Sequence, residues 1–209
     1  MAIITEITPQ AKDKTRVNVY LDGRFCCGLD FVTLAEYRLK KGMEITADAL
    51  AEIQLAAEKD KAFSKAVSLL SVTGKTEKEM YLKLKEKGYA HAIICETIAK
   101  LKEYGYVDNA EYAREYVTSH ANKKGGRMLA AELKMKGVSD ADISSALKEV
   151  DESEGAKTAL NKYMRGKEIT FETLQKAYRY LLSKGFSGDS VGEAVQALKE
   201  QVAEEDADV

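Results

Sequence analysis

Hydrophobic positions along this chain follow a helical spacing, and one short phrase occurs three times. Leu84-x-x-Lys87-Gly88-Tyr89 returns as Leu133-x-x-Lys136-Gly137-Val138 and again as Leu181-x-x-Lys184-Gly185-Phe186. The three glycines stand 49 and then 48 residues apart. A repeat of this length predicts an array of similar small units.

The residues around each glycine predict two helices joined at that glycine. Positions +1, +6, +10 and +13 after it are apolar in every copy: Tyr89, Ile94, Ile98, Leu101; Val138, Ile143, Leu147, Val150; Phe186, Val191, Val195, Leu198. Spacings of four and three place the last three of each set on one helical face. The leucine four residues before each glycine belongs to the preceding helix, which the glycine ends in a left-handed conformation.

A further helix precedes each pair, so the predicted unit has three helices. In the second copy this helix begins at Asp108, which with Glu111 resembles a capping box. Thr76 and Glu79 form a second such pair, and Ser139 and Ser187 are predicted helix caps.

The first part of the chain has a different pattern. Residues 16–21 and 24–28 flank Asp22-Gly23, which predicts a β-hairpin because both turn residues must take positive φ. Residues 3–8 are predicted to add a strand, and residues 31–41 to form a short helix that Gly42 ends. From Thr46 onward the pattern is helical.

The predicted fold class is therefore mainly α: a tandem array of three three-helix units preceded by a small N-terminal β-hairpin module with a helix. The predicted boundaries are 1–45 for the hairpin module, 46–107 for a linking helix with unit one, 108–151 for unit two, and 152–209 for unit three with an acidic tail.

Composition narrows the possible functions. The 209 residues include 32 basic and 34 acidic side chains, so no overall charge attracts the chain to nucleic acid. The sequence shows no run of about 20 apolar residues and no secretory signal, which predicts a cytoplasmic protein. Cys26, Cys27 and Cys95 are predicted to be free thiols, and no metal or other cofactor is expected.

Recognisable catalytic motifs are missing from the sequence. It has no phosphate-binding Walker loop, no G-x-S-x-G, no H-E-x-x-H and no suggestive Cys/His spacing. The chain is therefore expected not to be an enzyme.

Local charge is uneven along the chain. Residues 73–102 carry seven lysines against four glutamates, and residues 120–137 carry five basic side chains against one glutamate. From Val138 onward nine basic residues face fifteen acidic ones, which predicts a basic middle and an acidic end.

The best candidate for an anion site is the start of the second helix of unit two. Lys123-Lys124-Gly125-Gly126-Arg127 should place basic side chains beside free backbone N–H groups, a combination that favours phosphate. The candidate DNA- or partner-binding residues are Lys75, Lys83, Lys87, Lys123, Lys124, Arg127, Lys134 and Lys136.

These motifs together resemble the RecX regulatory proteins. The resemblance rests on Gly105-Tyr106-Val107-Asp108-Asn109 with Tyr112, Ala113, Tyr116 and Val117, followed by Lys124, Gly125 and the second Leu-x-x-Lys-Gly phrase. Thr76-Glu77-x-Glu79 with the first phrase, and Val17-x-Val19-Tyr20-Leu21-Asp22-Gly23 through Gly42-Met43, are also similar, so the resemblance covers essentially the whole chain.

The resemblance implies a mainly negative modulator of RecA recombinase in DNA repair and the SOS response. Such a protein would bind the RecA–DNA filament as a monomer, lie along its groove, and limit recombination and co-protease activity. Single- or double-stranded DNA would be contacted without sequence specificity, since no recognition helix is visible.

Two alternatives stay open on the sequence alone. One is a helical-repeat scaffold for protein partners without a DNA role, because such arrays have a similar period. The other is a sequence-specific DNA-binding protein, which equal affinity for scrambled DNA would exclude.

Overall fold

The computed structural model describes residues 1–11 and 13–207, with side chains described as far as residue 201. Asp208, the last acid of the predicted tail, lies outside the described residues. In chain order the elements are β1 (Ala2–Pro9), β2 (Arg16–Leu21), β3 (Arg24–Asp30), α1 (Phe31–Glu36), β4 (Glu44–Ile45), α2 (Ala47–Leu70), α3 (Glu77–Glu86), α4 (His91–Glu103), α5 (Asn109–His120), α6 (Gly126–Met135), α7 (Asp140–Lys148), α8 (Glu152–Met164), α9 (Phe171–Ser183) and α10 (Gly188–Ala207).

The described residues form two compact bodies, and the division passes through α3. The sheet body comprises residues 1–72 and 83–103, and the repeat body comprises residues 73–82 and those from 104 onward. The predicted fold class, a small β module before three three-helix units, is confirmed.

The sheet body is built on an antiparallel sheet whose described strands have the order β3-β2-β1-β4. The hairpin prediction is confirmed, with Asp22 at φ 47° and Gly23 at φ 79° between β2 and β3. One face of the sheet packs its apolar side chains, including Val17, Val19 and Leu29, against Leu50 of α2. The two-residue strand β4, which pairs with the start of β1, was missed because it is too short to show a pattern.

Helix α1 ends earlier than predicted. It begins after Asp30, whose carboxylate accepts from Thr33 N at 2.7 Å, and it ends at Glu36 rather than near Lys41. Arg38 takes φ 50°, and Leu39 N donates back to Leu34 O at 2.9 Å, which turns Leu39 into the core. The prediction failed because this left-handed stop uses arginine where glycine is usual.

An ion pair ties α1 to α2. Lys61 of α2 reaches the Asp30 carboxylate at 2.5 Å. Burial alone would raise the pKa of Asp30, but the hydrogen bonds from Lys61 and Thr33 outweigh it and lower the pKa to about 2. The predicted start of α2 is confirmed, since Thr46 Oγ1 accepts from Ala49 N at 3.1 Å.

All three Leu-x-x-Lys-Gly phrases end their helices in the same way. Gly88, Gly137 and Gly185 have φ 88°, 86° and 89°, as predicted for a left-handed helix end. The residue after each glycine donates its N–H to the leucine carbonyl, at 3.3 Å in the first and third copies and 3.1 Å in the second. Leu84, Leu133 and Leu181 are fully buried, so these leucines and glycines serve the fold.

Most of the predicted helix caps are confirmed. Thr76 and Glu79 cap each other reciprocally at 3.1 and 3.2 Å, and Ser139 and Ser187 accept from Asp142 N and Ser190 N. Asp108 caps α5, but Glu111 pairs with Arg114 instead of completing a box. Among the described residues, no helix is long and apolar enough to cross a membrane.

Candidate functional site

The basic phrase at residues 123–127 lies against the helix end of unit three. Gly125 N donates to Lys184 O at 2.9 Å, and Arg127 N donates to Gly185 O at 3.2 Å. The Arg127 guanidinium continues the contact by donating to Phe186 O at 2.9 Å. The start of α6 is therefore docked on the turn that joins α9 to α10.

The carboxylate of Glu152 accepts hydrogen bonds from both sides of this contact. Glu152, in the first turn of α8, accepts from Gly126 N at 2.8 Å, from Ser190 Oγ at 3.1 Å and from Ser187 N at 3.4 Å. Burial alone would raise the pKa of Glu152, but the hydrogen bonds from Gly126, Ser187 and Ser190 outweigh it and hold the pKa below its ordinary value. The negative charge at the start of α6 is thus supplied by the chain itself.

The prediction of free N–H groups at the start of α6 is wrong. Glu152 and the Lys184–Gly185 carbonyls already accept from Gly125, Gly126 and Arg127. These partners are about 60 and 25 residues away in the chain, so the local spacing could not reveal them. An incoming phosphate would have to displace the Glu152 carboxylate to reach this helix end.

A similar contact joins the start of α3 to the helix end of unit two. Thr76 Oγ1 donates to Lys136 O at 2.6 Å, and Lys78 Nζ donates to Met135 O at 2.9 Å. In both contacts the helix cap (Thr76 or Gly125) donates to the lysine carbonyl. The second helical residue (Lys78 or Arg127) places its basic side chain on a nearby carbonyl. We call this repeated contact the joint.

Aromatic rings and lysines form a cluster within unit two. Tyr112, Tyr116 and His120 stack along α5, with ring centroids 6.0 and 4.2 Å apart. Lys136 Nζ lies 5.4 and 5.6 Å from the centroids of Tyr112 and Tyr116, and Lys124 Nζ lies 5.9 Å from that of Tyr116.

Carboxylates hold both lysines of this cluster. Glu132 accepts from Lys124 Nζ at 2.6 Å and from the Tyr116 hydroxyl at 2.8 Å, and Glu79 accepts from Lys136 Nζ at 2.6 Å. Burial alone would lower the pKa of Lys136, but the hydrogen bonds to Glu79 and Tyr112 outweigh it and raise the pKa. The hydrogen bond to Glu132 likewise raises the pKa of Lys124. Both ammonium groups are therefore fixed in their charged form.

The remaining candidates differ in how available they are. Lys83 pairs with Glu86 at 2.9 Å, Lys134 pairs with Asp140 at 3.0 Å, and Lys75 Nζ lies 3.5 Å from Thr73 O. Lys87 and Lys123 are exposed, and neither side chain has a partner within the described part of the chain.

An open groove lies beside the cluster. Its lining includes Lys78, Glu79, Tyr116, Glu132 and Lys136. Two apolar side chains complete it, Leu82 at 48% exposure and Met135 at 70%. This groove combines lysines and carboxylates with an apolar edge, which suits contact with another protein surface better than with phosphate alone.

Family models match four successive parts of the chain. They are the regulatory protein RecX N-terminal domain at residues 2–46 and the first, second and third three-helix domains of RecX at residues 62–101, 108–147 and 150–195. The chain belongs to the RecX family. The resemblance drawn from the sequence motifs is thereby confirmed.

Curated RecX proteins are similar along nearly the whole chain. The regulatory protein RecX of Bacillus licheniformis is 35% identical over 94% of this chain and 77% of its own length. The protein of the same name from Clostridium acetobutylicum is 32% identical over 93% of this chain and 95% of its own length. These relatives support a RecX-type regulatory role.

Solved RecX structures share the fold. A crystal structure of regulatory protein RecX is 31% identical, with a TM-score of 0.65 over 91% of this chain and 97% of that one. A crystal structure of RecX from Lactobacillus salivarius is 27% identical, with a TM-score of 0.62 over 69% of this chain and 98% of that one.

Proposed function

We propose that this chain is a negative modulator of RecA recombinase that binds the RecA–DNA filament and limits recombination and co-protease activity. The proposal rests on the match of RecX family models to the β module and to all three helical units, in order. The same proposal includes action as a monomer, without catalysis of its own.

DNA contact is proposed to be independent of sequence and to depend first on Lys87 and Lys123. Both ammonium groups are exposed and lack a carboxylate partner in the described part of the chain, so phosphate need not displace one. Contact through Lys124 or Lys136 would compete with Glu132 or Glu79. The ion pairs at Lys83 and Lys134 are exposed, and such pairs contribute little and yield readily to phosphate.

The decisive experiment measures RecA ATPase and strand exchange with this protein at sub-stoichiometric and equimolar ratios. We expect both activities to fall, and RecA co-protease activity to fall with them. Unchanged ATPase and strand exchange at both ratios would exclude the proposal.

The DNA part is tested with Lys87→Glu/Lys123→Glu, and Lys41→Glu/Lys65→Glu serves as a control of equal charge change. Both control lysines are exposed in the sheet body. We expect the first variant alone to bind DNA more weakly, with a salt slope smaller by about 0.7 to 0.9 per lost phosphate contact. Equal affinities and slopes for the two variants would contradict this assignment.

The groove beside Met135 favours a second candidate, a scaffold that binds protein only. Its exposed Leu82 and Met135 side chains give an apolar edge between charged groups. A chain of this kind would inhibit RecA without DNA contact at Lys87 and Lys123, so Met135→Glu would abolish inhibition while Lys87→Glu/Lys123→Glu would not.

A further inference from the structure

Unit three carries two tyrosines and three lysines in one strip. Tyr163 of α8 stacks on Tyr180 of α9, with ring centroids 4.6 Å apart and planes inclined by 26°. Lys167 Nζ lies 3.3 Å from the Tyr163 centroid, and Lys184 Nζ lies 5.3 Å from that of Tyr180. Lys176, Tyr180 and Lys184 follow one another at four-residue spacing, so they share one face of α9 and its C-terminal cap.

At the corresponding place in unit two, carboxylates pair with the lysines, whereas the lysines of this strip that lie on the tyrosine rings have no carboxylate partner among the described side chains. Counted from the glycines, Tyr180 stands where Glu132 stands, and Lys184 stands where Lys136 stands. Glu132 holds Lys124, and Glu79 holds Lys136, whereas the residue of α6 that corresponds to Glu79 is Met128. No carboxylate pairs with Lys167 or Lys184 among the described side chains.

The charge around the strip is basic although unit three as a whole is acidic. Residues 157–184 carry seven basic side chains against two acids, Glu168 and Glu172. Glu172 approaches Lys176 at 3.8 Å, but both side chains are mostly exposed, so solvent weakens that pair. The acids of this region stand at positions 140–154 and from 189 onward, so the expected acidic end is interrupted by a basic segment.

The shape and chemistry of the strip fit a flexible polyanion with flat groups. Lys176 and Lys184 are eight residues apart, or about 12 Å along a helix. At the 3.4 Å advance per phosphate that one strand has within a duplex, this distance spans about three to four phosphates. Tyr180 remains 38% exposed, so a base can approach its ring where Tyr163 does not cover it, beside the Lys184 ammonium group. Bases in a duplex are stacked on one another, whereas those of a single strand are available to an aromatic side chain.

We propose that Lys167, Lys176 and Lys184, arranged on the Tyr163–Tyr180 stack, form a binding site for single-stranded nucleic acid. This site lies in unit three and involves none of the lysines proposed above for DNA contact. It requires no RecA, so it stands or fails independently of the proposed regulatory function.

The test is titration of a fluorescein-labelled oligothymidylate with the full chain, without RecA, at several salt concentrations. We expect Lys167→Glu/Lys184→Glu to bind about tenfold or more weakly, with a salt slope smaller by about 0.7 per lost contact. Tyr180→Ala should weaken binding about fivefold or more with the slope unchanged, and Tyr180→Phe should restore it, because stacking needs the ring and not the hydroxyl.

Lys199→Glu is the control for a single charge reversal, half the charge change of the double variant, on an exposed residue of α10 in the same unit. It should bind like the unaltered chain, and Lys167→Gln/Lys184→Gln should reproduce the loss without charge reversal. Binding by the double glutamate variant equal to that of Lys199→Glu would overturn the site. Equal affinity for duplex DNA with no effect of Tyr180→Ala, or full competition by polyglutamate, would overturn the single-strand assignment.

Discussion

Gly125 has less room around it than any other described glycine. A Cβ at this position would lie 2.1 Å from Phe186 N and 2.2 Å from Phe186 Cα, both backbone atoms that cannot move aside cheaply. Its φ of −79° is open to any residue, so the requirement for glycine comes from space and not from backbone conformation. The joint between units two and three therefore leaves no room for a methyl group at Gly125.

Gly125→Ala should lower the free energy of unfolding by about 1 to 3 kcal/mol, the usual cost of overpacking. The matched control is Gly192→Ala inside α10, where a Cβ meets nothing within 4 Å. That change should stabilise the protein by about 0.5 to 1 kcal/mol, because alanine is the better helix former. Urea unfolding followed by circular dichroism measures both, and equal midpoints would contradict the contact at Phe186.

Individual residues were the least predictable part of the site. The sequence marked Lys123–Arg127 as basic and glycine-rich, which is correct, but the partners of this segment are Glu152 and Lys184–Phe186. Glu132 and Glu79 were missed as the groups that hold Lys124 and Lys136. A lysine count cannot distinguish a free ammonium from one that an acid on another helix already binds.

Helices and their ends were far more predictable. The caps at Thr46, Thr76, Ser139 and Ser187 and the three glycine stops depend on residues within one turn, so a local pattern contains all the information. Two of the misses, β4 and the early end of α1, depend instead on pairing with β1 and on burial of Leu39. In the third, Glu111 pairs with Arg114 and does not complete the capping box with Asp108.

The three glycine stops share a conformation but not their surroundings. A Cβ at Gly88 would meet nothing within 4 Å, whereas a Cβ at Gly137 would lie 2.7 Å from Lys78 Cβ. Each replacement by alanine costs about 1 to 2 kcal/mol for a left-handed residue. Gly137→Ala should therefore destabilise by about 1 kcal/mol more than Gly88→Ala, since it also crowds the joint.

Thermal unfolding of the two variants in parallel provides the measurement. Lys78→Ala in the Gly137→Ala background should recover part of the difference by removing the far atoms of the crowded side chain. If Gly88→Ala proved as unstable as Gly137→Ala, the contact between Gly137 and Lys78 of α3 would not be crowded by a methyl group.

At the scale of the whole molecule, Glu152 makes the link between units two and three sensitive to acid. Its pKa is held below the ordinary 4.5, so the folded state binds this proton more weakly than the unfolded state does. The stabilisation is therefore complete above about pH 4.5 and is lost as the pH falls through the lower folded-state pKa.

Glu152→Gln should cost about 2 kcal/mol at neutral pH, the range for hydrogen bonds to a charged group. The difference from the unaltered chain should shrink as the pH falls below 4.5. Glu154→Gln, whose carboxylate is exposed and lies 3.8 Å from Lys157, should change little at any pH. A Glu152→Gln difference that stays constant from neutral pH into the acid range would refute this account.

The repeated joint also bears on how such an array could grow by duplication. An added unit would need a Lys-Gly helix end of its own. The unit before it would need a helix start that can dock on that helix end as in the other joints. The start of α9 does not fit, because Phe171 is 77% exposed there and Glu172 replaces the basic Lys78 and Arg127. An acid at that position would face backbone carbonyls, which repel it. The start of α9 thus lacks the features of the other two joints, and a further unit docked in the same way would need a changed start of α9.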